Sequence, residues 1–297
     1  MNFRDSRSFG LICACIGALG FSFKAIFIKA AYEYHVDAET LLALRMGYSL
    51  PFFAAMGISI EMRKPMRMNR RDVGMLLLLG LVGYYAASYL DFLGLQYITA
   101  ALERLILFLY PTLVLVLSAL VLRKPIKRNM LWPLAMCYVG IVLAVTHDAQ
   151  LGGRDVTLGC VLVFLSALAY AIYLMLSGPA IQRLGSTRVA AYATGAACLF
   201  SLIQFLLLRS PDALQQPWQV HALSIAMAVF STALPIWLVA ESIRILGTAQ
   251  ASMISTLGPI FTILLAVLLL GESFEITQAI GAALVIGGVW WVAKMKT

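Results

Sequence analysis

The chain has 297 residues, of which 62% are hydrophobic and 12% are charged, and its formal net charge is +8. Globular proteins carry about 25% charged residues, so this composition excludes a soluble globular domain and predicts a polytopic membrane protein. The basic residues lie in short segments between apolar runs. That placement fits the positive-inside rule better than nucleic-acid binding, and we expect no nucleic acid as a partner.

Ten apolar runs approach the roughly 20 residues that a membrane-spanning helix needs. Only helices and closed barrels satisfy the backbone in lipid, and runs of this length predict helices, so the expected fold class is all-α. The predicted spans are residues 9–31, 40–60, 73–93, 99–122, 129–146, 157–179, 187–208, 221–243, 248–270 and 276–293. We therefore expect two five-helix units, at residues 1–149 and 157–297, with residues 150–156 as the linker.

The two units repeat one another in sequence. A shift of 148 positions places Pro111 on Pro259 and Gly140 on Gly288 without gaps. Because each unit has an odd number of spans, the second must enter the membrane in the opposite orientation. The sequence thus predicts inverted repeats, a feature of secondary transporters whose substrate site lies near the midplane between the repeats.

Loop charges predict the orientation, since Lys and Arg accumulate in cytoplasmic loops. If the N-terminus is cytoplasmic, 16 of the 22 Lys and Arg residues fall in cytoplasmic segments and two fall in outside loops. The first apolar run is too long for a signal-peptide core and is expected to stay as the first span. The sequence predicts an inner-membrane protein with both termini and the loop 63–71 in the cytoplasm.

Charged residues lie inside four spans of the first unit, at similar depth in its outer third. They are Lys24, Arg45, Asp91, Glu103 and Arg104. A charge inside the bilayer costs roughly 2.5–3.5 kcal/mol on insertion scales, so such residues are usually paired or functional. They form either a site for a charged substrate or a proton, or an ion-pair network that joins the helices. The second unit has Val and Ala where the first has its two carboxylates.

The two carboxylates are expected to differ in role. Asp91 lies nearer the outer interface, within reach of Lys24, Lys29 or Arg45, and is expected to be paired and structural. Glu103 lies deeper, where desolvation favours the protonated form of a carboxyl group. Glu103 is therefore the candidate for proton coupling.

Polar stripes lead from these charges toward the midplane. Tyr84 shares a face with Asp91 in the third span, Tyr110 shares a face with Glu103 in the fourth, and Tyr170 lies in the sixth. The ninth span has a polar face at helical spacing, formed by Ser252, Ser255, Thr256, Pro259 and Thr262. Its hydroxyls either line a cavity or bond their own backbone. Pro111 and Pro259 are expected to kink their helices, as hinges or as static bends.

The sequence contains no phosphate-binding loop and no nucleophile motif, and its histidines and cysteines form no metal-binding or disulfide pattern. We therefore expect neither an enzyme nor a bound cofactor or metal.

The repeat endings resemble those of EamA-type members of the drug/metabolite transporter superfamily. The second ending, GPIFTILLAVLLLGESFE, is similar to the proline-to-GE ending of the family, with Gly271-Glu272 at the GE position. The first keeps Pro111 but has Arg123-Lys124 there. The first unit therefore lacks the glycine and glutamate that any role specific to the GE pair would need.

Two further stretches carry the resemblance. FKAIFIKAAY has Lys29 at the family's first-span lysine, and LLALRM has Arg45 at its second-span arginine. The resemblance covers essentially the whole chain. It implies secondary transport, typically export, of small metabolites such as amino acids, or of drugs.

The favoured hypothesis is an inner-membrane secondary transporter, monomeric or homodimeric, that exports an amino acid or a related zwitterion. Lys24, Arg45 and Arg104 would meet an anionic group of the substrate. Asp91 or Glu103 would meet an amine or carry a coupling proton. The path would be lined by Tyr84, Tyr110, Tyr170, Ser252, Ser255 and Thr256.

Two alternatives remain open at this point. In proton-coupled efflux of cationic or aromatic drugs, the carboxylates would dominate and the tyrosines would stack on the drug. The other alternative is a membrane scaffold or lipid-handling protein that transports no solute.

Overall fold

The computed structural model describes residues 7–121, 123, 128–150, 155–246, 254 and 257–295, and within these ranges it contains no β-strand. Its α-helices are α1 (Arg7–Tyr32), α2 (Ala38–Arg63), α3 (Arg70–Leu79), α4 (Ala87–Gly94), α5 (Ala100–Leu107), α6 (Tyr110–Val121), α7 (Leu131–Gln150), α8 (Val156–Leu184), α9 (Ser186–Leu208), α10 (Trp218–Ala228), α11 (Leu234–Leu246), α12 (Gly258–Leu270) and α13 (Ile276–Met295). The π-helical segments are Gly80–Ala86 and Val229–Ala233, and the 3₁₀ turns are Arg128–Met130 and Pro211–Leu214.

Eight helical stretches in the described ranges are long and apolar enough to cross a membrane. They are Ser8–Tyr32, Ala38–Arg63, Arg70–Gly94, Ala100–Val121, Arg128–Thr146, Val156–Leu184, Ser186–Leu208 and Trp218–Val239. Two shorter apolar helices follow, Gly258–Leu270 and Ile276–Val292. The expected all-α, multi-pass architecture is confirmed. The count of ten spans stays a prediction, because most of residues 247–256 lie outside the described part of the chain.

Local signals fix several helix ends. Asp37 caps the N-terminus of α2 by accepting the Thr40 N–H at 2.9 Å. Burial alone would raise the pKa of Asp37, but the hydrogen bonds from Thr40, together with Arg209, hold it below its ordinary value. Asn69 and Asp72 form a reciprocal capping box at the start of α3. Gly271 ends α12 at a φ of 65°, the left-handed region that glycine adopts without strain.

The helices of the two halves pack against one another symmetrically. The main contacts of a helix from the first half have counterparts made by the corresponding helix of the second half. α1 packs on α10, α11 and α12, while α8 packs on α3, α4, α5 and α6. α2 packs on α9, and α7 packs on α13. The α7–α13 contact requires glycine on both sides, because a Cβ on Gly140 would lie 2.6 Å from the Gly281 carbonyl oxygen, and the reverse distance is also 2.6 Å.

Helix irregularities also occur at matched positions. The π-helical segments begin at Gly80 and Val229, 149 positions apart, and α6 and α12 begin at Tyr110 and Gly258, 148 positions apart. The expected kink at Pro111 is instead a complete break, because α5 ends at Leu107 and a new helix starts one residue before the proline. A proline fits the first turn of a helix, where its missing N–H has no partner to lose.

For reference, the bundle end that holds the α1–α2 connection is called the Asp37 end, and the end that holds the α2–α3 connection is called the Lys64 end. Ion pairs join α2 to α9 at both. At the Asp37 end, Arg209 Nη2 lies 3.2 Å from Glu39 Oε2. At the Lys64 end, Arg188 Nε lies 2.6 Å from Glu61 Oε1.

The orientation can be tested with single cysteines in a cysteine-free background. Arg67→Cys, on the exposed α2–α3 connection, should react with an impermeant maleimide only after the cells are permeabilised. His35→Cys, at the Asp37 end, should react in intact cells. The reverse labelling pattern would contradict cytoplasmic termini. Asn69 is a poor labelling position, since its replacement removes the cap of α3.

Candidate functional site

Lys24 of α1 lies between two buried carboxylates. Its Nζ is 2.6 Å from Asp91 Oδ2 on α4 and 3.3 Å from Glu103 Oε1 on α5. The side chains of Asp91 and Glu103 are only 2% and 0% exposed. These three residues, called the lysine triad below, bring together charges from three helices of the first half.

The lysine triad leaves carboxylate oxygens without hydrogen bonds. The Lys24–Asp91 contact is a short charge-assisted hydrogen bond, whereas the longer Lys24–Glu103 contact lacks hydrogen-bond geometry. Oδ1 of Asp91 and both oxygens of Glu103 have no hydrogen-bond partner among the described residues. Two carboxylates that share one cation favour uptake of a proton or of a second cationic group.

Arg45 of α2 lies near the lysine triad but does not join it. Its Nη2 donates to Thr232 Oγ1 at 3.3 Å, and its Cζ lies 5.5 Å from the centre of the Phe92 ring. Thr232 sits in the second π-helical segment and donates to the Met227 carbonyl at 3.0 Å. Arg45 is 8% exposed, yet its Nε and Nη1 have no hydrogen-bond partner in the described part of the chain.

Arg104 points away from Glu103, toward the start of α12. A Cβ placed on Gly258 would lie 2.9 Å from Arg104 Nη2, so the guanidinium lies directly against this glycine. The Arg104 Nε is buried and has no hydrogen-bond partner within the described ranges. The first turn of α12, which carries Pro259, is thus approached by a cation.

Four tyrosines form an aromatic cluster, defined as Tyr84, Tyr110, Tyr170 and Tyr173. The Tyr110 and Tyr170 ring centres are 5.3 Å apart and nearly perpendicular, and the Tyr170 and Tyr173 rings stack at 5.7 Å. The Tyr84 and Tyr173 hydroxyls are hydrogen-bonded at 3.0 Å. The cluster joins the first π-helical segment, α6 and α8 through polarisable faces with hydroxyl groups.

A polar cavity of about 690 Å³ opens at the Asp37 end. Its lining includes Lys29, Tyr32, Glu33, Asp37, Thr99 and Glu272. The Tyr32 hydroxyl donates to the Phe92 carbonyl at 2.6 Å, one residue from Asp91. Tyr32 therefore connects the cavity lining to α4, the helix that carries Asp91.

The second half of the chain caps a helix of the first half beside this cavity. Glu272, which follows α12, accepts the backbone N–H groups of Ala100 and Ala101 at 2.8 and 3.2 Å. Asp148 accepts the N–H and the hydroxyl of Thr99 at 2.8 and 3.0 Å. Burial raises the pKa of Glu272 above its ordinary value, although the two N–H donors favour the ionised form.

The sequence profile of the EamA-like transporter family matches the chain twice, at residues 8–146 and 157–294. The chain belongs to the EamA-like transporter family. The resemblance noted from the repeat endings is confirmed, and the two matches show two EamA repeats.

Relatives of this EamA transporter are themselves named as transporters. An uncharacterized transporter of Bacillus subtilis (strain 168), YcbK, is 31% identical over 299 residues, which cover 97% of this chain and 94% of that protein. An uncharacterized transporter of Archaeoglobus fulgidus is 28% identical over 225 residues, which cover 74% of this chain and 77% of that protein. A crystal structure 18% identical in sequence shares the fold, with a TM-score of 0.64 over 98% of this chain and 99% of the other.

The EamA fold brings together some of the residues that the sequence singled out and separates others. Of the three expected partners of Asp91, namely Lys24, Lys29 and Arg45, it is Lys24 that forms the ion pair, and Glu103 joins it. Arg45 and Arg104 lie apart from this group, beside Thr232 and Gly258. The expected stripe of Glu103 and Tyr110 is wrong as a continuous helix face, because the break at Phe108–Leu109 divides it between α5 and α6.

The predicted path-lining residues fall into two groups, the tyrosines and the polar face of the ninth span. Tyr84, Tyr110 and Tyr170 meet in the aromatic cluster. The predicted polar face of the ninth span falls largely outside the described residues, at Ser252, Ser255 and Thr256. Sequence reasoning missed Tyr32 and Thr232, whose partners lie 60 and 187 positions away.

Replacing Glu272 with alanine should lower the free energy of unfolding of this EamA transporter by about 1–2 kcal/mol, the usual cost of losing a helix cap. The backbone donors of Ala100 and Ala101 would lose their acceptor. Glu272→Gln keeps one acceptor oxygen and should lose less. Denaturant unfolding in detergent measures both variants, and equal stability of Glu272→Ala and the parent would contradict the capping role.

Proposed function

We propose that this chain is a secondary active transporter that exports a small polar metabolite, an amino acid or a related zwitterion, with protons as the coupling ion. The observation that carries the proposal is the lysine triad, in which Asp91 and Glu103 share one cation and keep oxygens without hydrogen-bond partners among the described residues. Ionisable groups at membrane depth mark substrate paths and proton relays.

The cationic groups suit the carboxylate of such a cargo. Arg45 and Arg104 each keep a buried N–H donor that no described residue accepts, and a carboxylate is the strongest acceptor that a guanidinium can meet. Lys24 is the third candidate cation for the cargo carboxylate, although it lies apart from the two arginines, between Asp91 and Glu103. Asp91 or Glu103 then meets the cargo amine or carries the coupling proton.

Alternating access is supported by the symmetry of the packing. The two halves make corresponding helix contacts, and their π-helical segments and helix starts lie at matched positions. These features fit two repeats of inverted topology that rock against each other around a central site. The aromatic cluster and the polar face with Ser252, Ser255 and Thr256 then line the path. The carrier works as a monomer or a homodimer in the inner membrane with both termini in the cytoplasm.

The aromatic cluster favours a second candidate function, efflux of cationic aromatic drugs. Its four hydroxyl-bearing rings offer stacking and cation–π contacts, and the nearby carboxylates would attract the cation. The two candidates differ in what Arg104 does. It binds the cargo carboxylate in the first and repels the cargo in the second.

Flux into proteoliposomes tests the proposal. The full chain is reconstituted, a pH gradient is imposed, and uptake of labelled amino acids is compared with uptake of a cationic aromatic dye. Arg104→Gln should lower amino-acid flux about tenfold or more, since it removes a charge-assisted hydrogen bond. The exposed Arg128→Gln serves as the control. Dye flux without amino-acid flux would support drug efflux, and no solute flux would support a scaffold.

A further inference from the structure

An apolar groove runs along the outside of the bundle between α2, α3 and α9, and its volume is about 850 Å³. Buried side chains form its floor, among them Phe53 and Leu76, which are 3% and 4% exposed. Ile58 and Leu199 stand at its edges and are 61% and 52% exposed. The groove is thus open sideways, toward the space that membrane lipid occupies.

The length of the groove matches one leaflet of a bilayer. Its lining runs along α2 from Leu50 to Met62. Those 12 residue steps correspond to about 18 Å at 1.5 Å per residue. Half of a hydrocarbon core of about 30 Å is similar in thickness, so the groove extends from the middle of the membrane to one surface.

The surface end of the groove carries a cluster of positive charge. Five exposed cations flank its lining residues Met62, Met68 and Val73 in the sequence, namely Arg63, Lys64, Arg67, Arg70 and Arg71. None of the five forms an ion pair with any described residue. The neighbouring acids are already neutralised, since Glu61 pairs with Arg188 at 2.6 Å and Asp72 pairs with Arg183 at 3.0 Å.

Helix stability can explain Arg63, which lies in the last turn of α2, but not Arg70 and Arg71. Arg70 and Arg71 occupy the first turn of α3, where the helix dipole disfavours cations. An apolar channel one leaflet long, ending in five cations that pair with no described residue, is complementary to a molecule with an acyl chain and an anionic headgroup.

We propose that the α2–α3–α9 groove binds an acyl chain of an anionic phospholipid whose headgroup phosphate contacts the cations of residues 63–71. Polybasic segments beside spanning helices attract anionic lipids in this way. The site is separate from the lysine triad, and its occupancy can be measured without knowledge of the transported solute.

The test uses the purified full chain and native mass spectrometry to measure the apparent dissociation constants of phosphatidylglycerol and phosphatidylcholine with identical chains. The parent should prefer phosphatidylglycerol. The triple variant Arg67→Gln, Arg70→Gln, Arg71→Gln should bind it about fivefold more weakly for each charge removed. The matched triple Arg→Lys variant keeps the charge and should bind like the parent.

A second variant tests the groove itself. Gly195 lies in the lining of the groove, and a Cβ added there would meet nothing within 4 Å, so Gly195→Leu should fold and occupy the groove. Displacing about two methylene groups of the chain should weaken lipid binding about tenfold. Gly178→Leu is the control, because Gly178 is also a helical glycine at which an added Cβ would meet nothing within 4 Å, but it lies outside the groove lining.

Three results would overturn the proposal. Equal affinity for the two lipids would show that the cations only set topology. A normal preference in Gly195→Leu would show that the headgroup binds without a chain in the groove. A parent that is dimeric, with Gly195→Leu monomeric and lipid binding unchanged, would show that a second copy of the chain covers the groove.

Discussion

Replacing Lys24 with methionine should lower the free energy of unfolding by about 3–5 kcal/mol, the usual cost of removing one partner from a buried ion pair. The substitution leaves Asp91 and Glu103, at 2% and 0% side-chain exposure, with no cation at hydrogen-bond distance. Methionine fills a similar volume, so the loss would come from charge rather than from a cavity. Denaturant unfolding in detergent micelles, with tryptophan fluorescence as the signal, measures it.

Two further variants separate charge from packing. The triple variant Lys24→Met, Asp91→Asn, Glu103→Gln carries no charge in the lysine triad and should recover most of the lost stability, because neutral side chains escape the desolvation cost. Lys29→Met, on the same helix but without an ion pair to a described residue, should cost less than Lys24→Met. If Lys24→Met were as stable as the parent, the lysine triad would not hold α1 to α4 and α5.

Replacing Glu103 with glutamine should abolish flux driven by a pH gradient while leaving exchange of the cargo across the membrane intact. Glu103 is fully buried, and neither of its oxygens accepts a hydrogen bond from a described residue. It is therefore the group of the lysine triad that a proton would neutralise with least loss of other contacts. Glutamine keeps the shape and cannot exchange a proton, so binding persists without coupling.

The comparison with Asp91→Asn makes this prediction specific. Asp91 is held by the 2.6 Å contact with Lys24, so its replacement should mainly lower stability and leave coupling in the folded fraction. Proteoliposome flux of both variants, with and without a pH gradient, distinguishes the two roles. Gradient-driven flux that persists in Glu103→Gln but disappears in well-folded Asp91→Asn would assign the coupling proton to Asp91 instead.

The sequence predicted the helices well, because long apolar runs are local signals that determine the spans. Charges at similar depth were enough to expect Asp91 to be paired with Lys24, Lys29 or Arg45, and the structure selects Lys24. The spacing of about 100° between adjacent helical residues also explains why Glu103 and Arg104 face different neighbours.

The other features of the fold and of the site depend on tertiary contacts, which the periodicity of a sequence does not reveal. The π-helical segments at Gly80 and Val229 change the register of their helices without a composition signal, and hydropathy alone gives no warning of them. The contact of Glu272 with Ala100 joins residues 172 positions apart. The GE resemblance marked Glu272 as distinctive, but its partner became visible only once the two halves were packed together.

The cap that Glu272 supplies has a consequence for the duplication itself. Position 272 corresponds to Lys124 in the first half, and an ammonium group cannot accept an N–H. A chimera built from two second halves would carry two acidic caps, and one built from two first halves would carry none. The two halves have therefore ceased to be interchangeable at this cap, because only the second half can supply it.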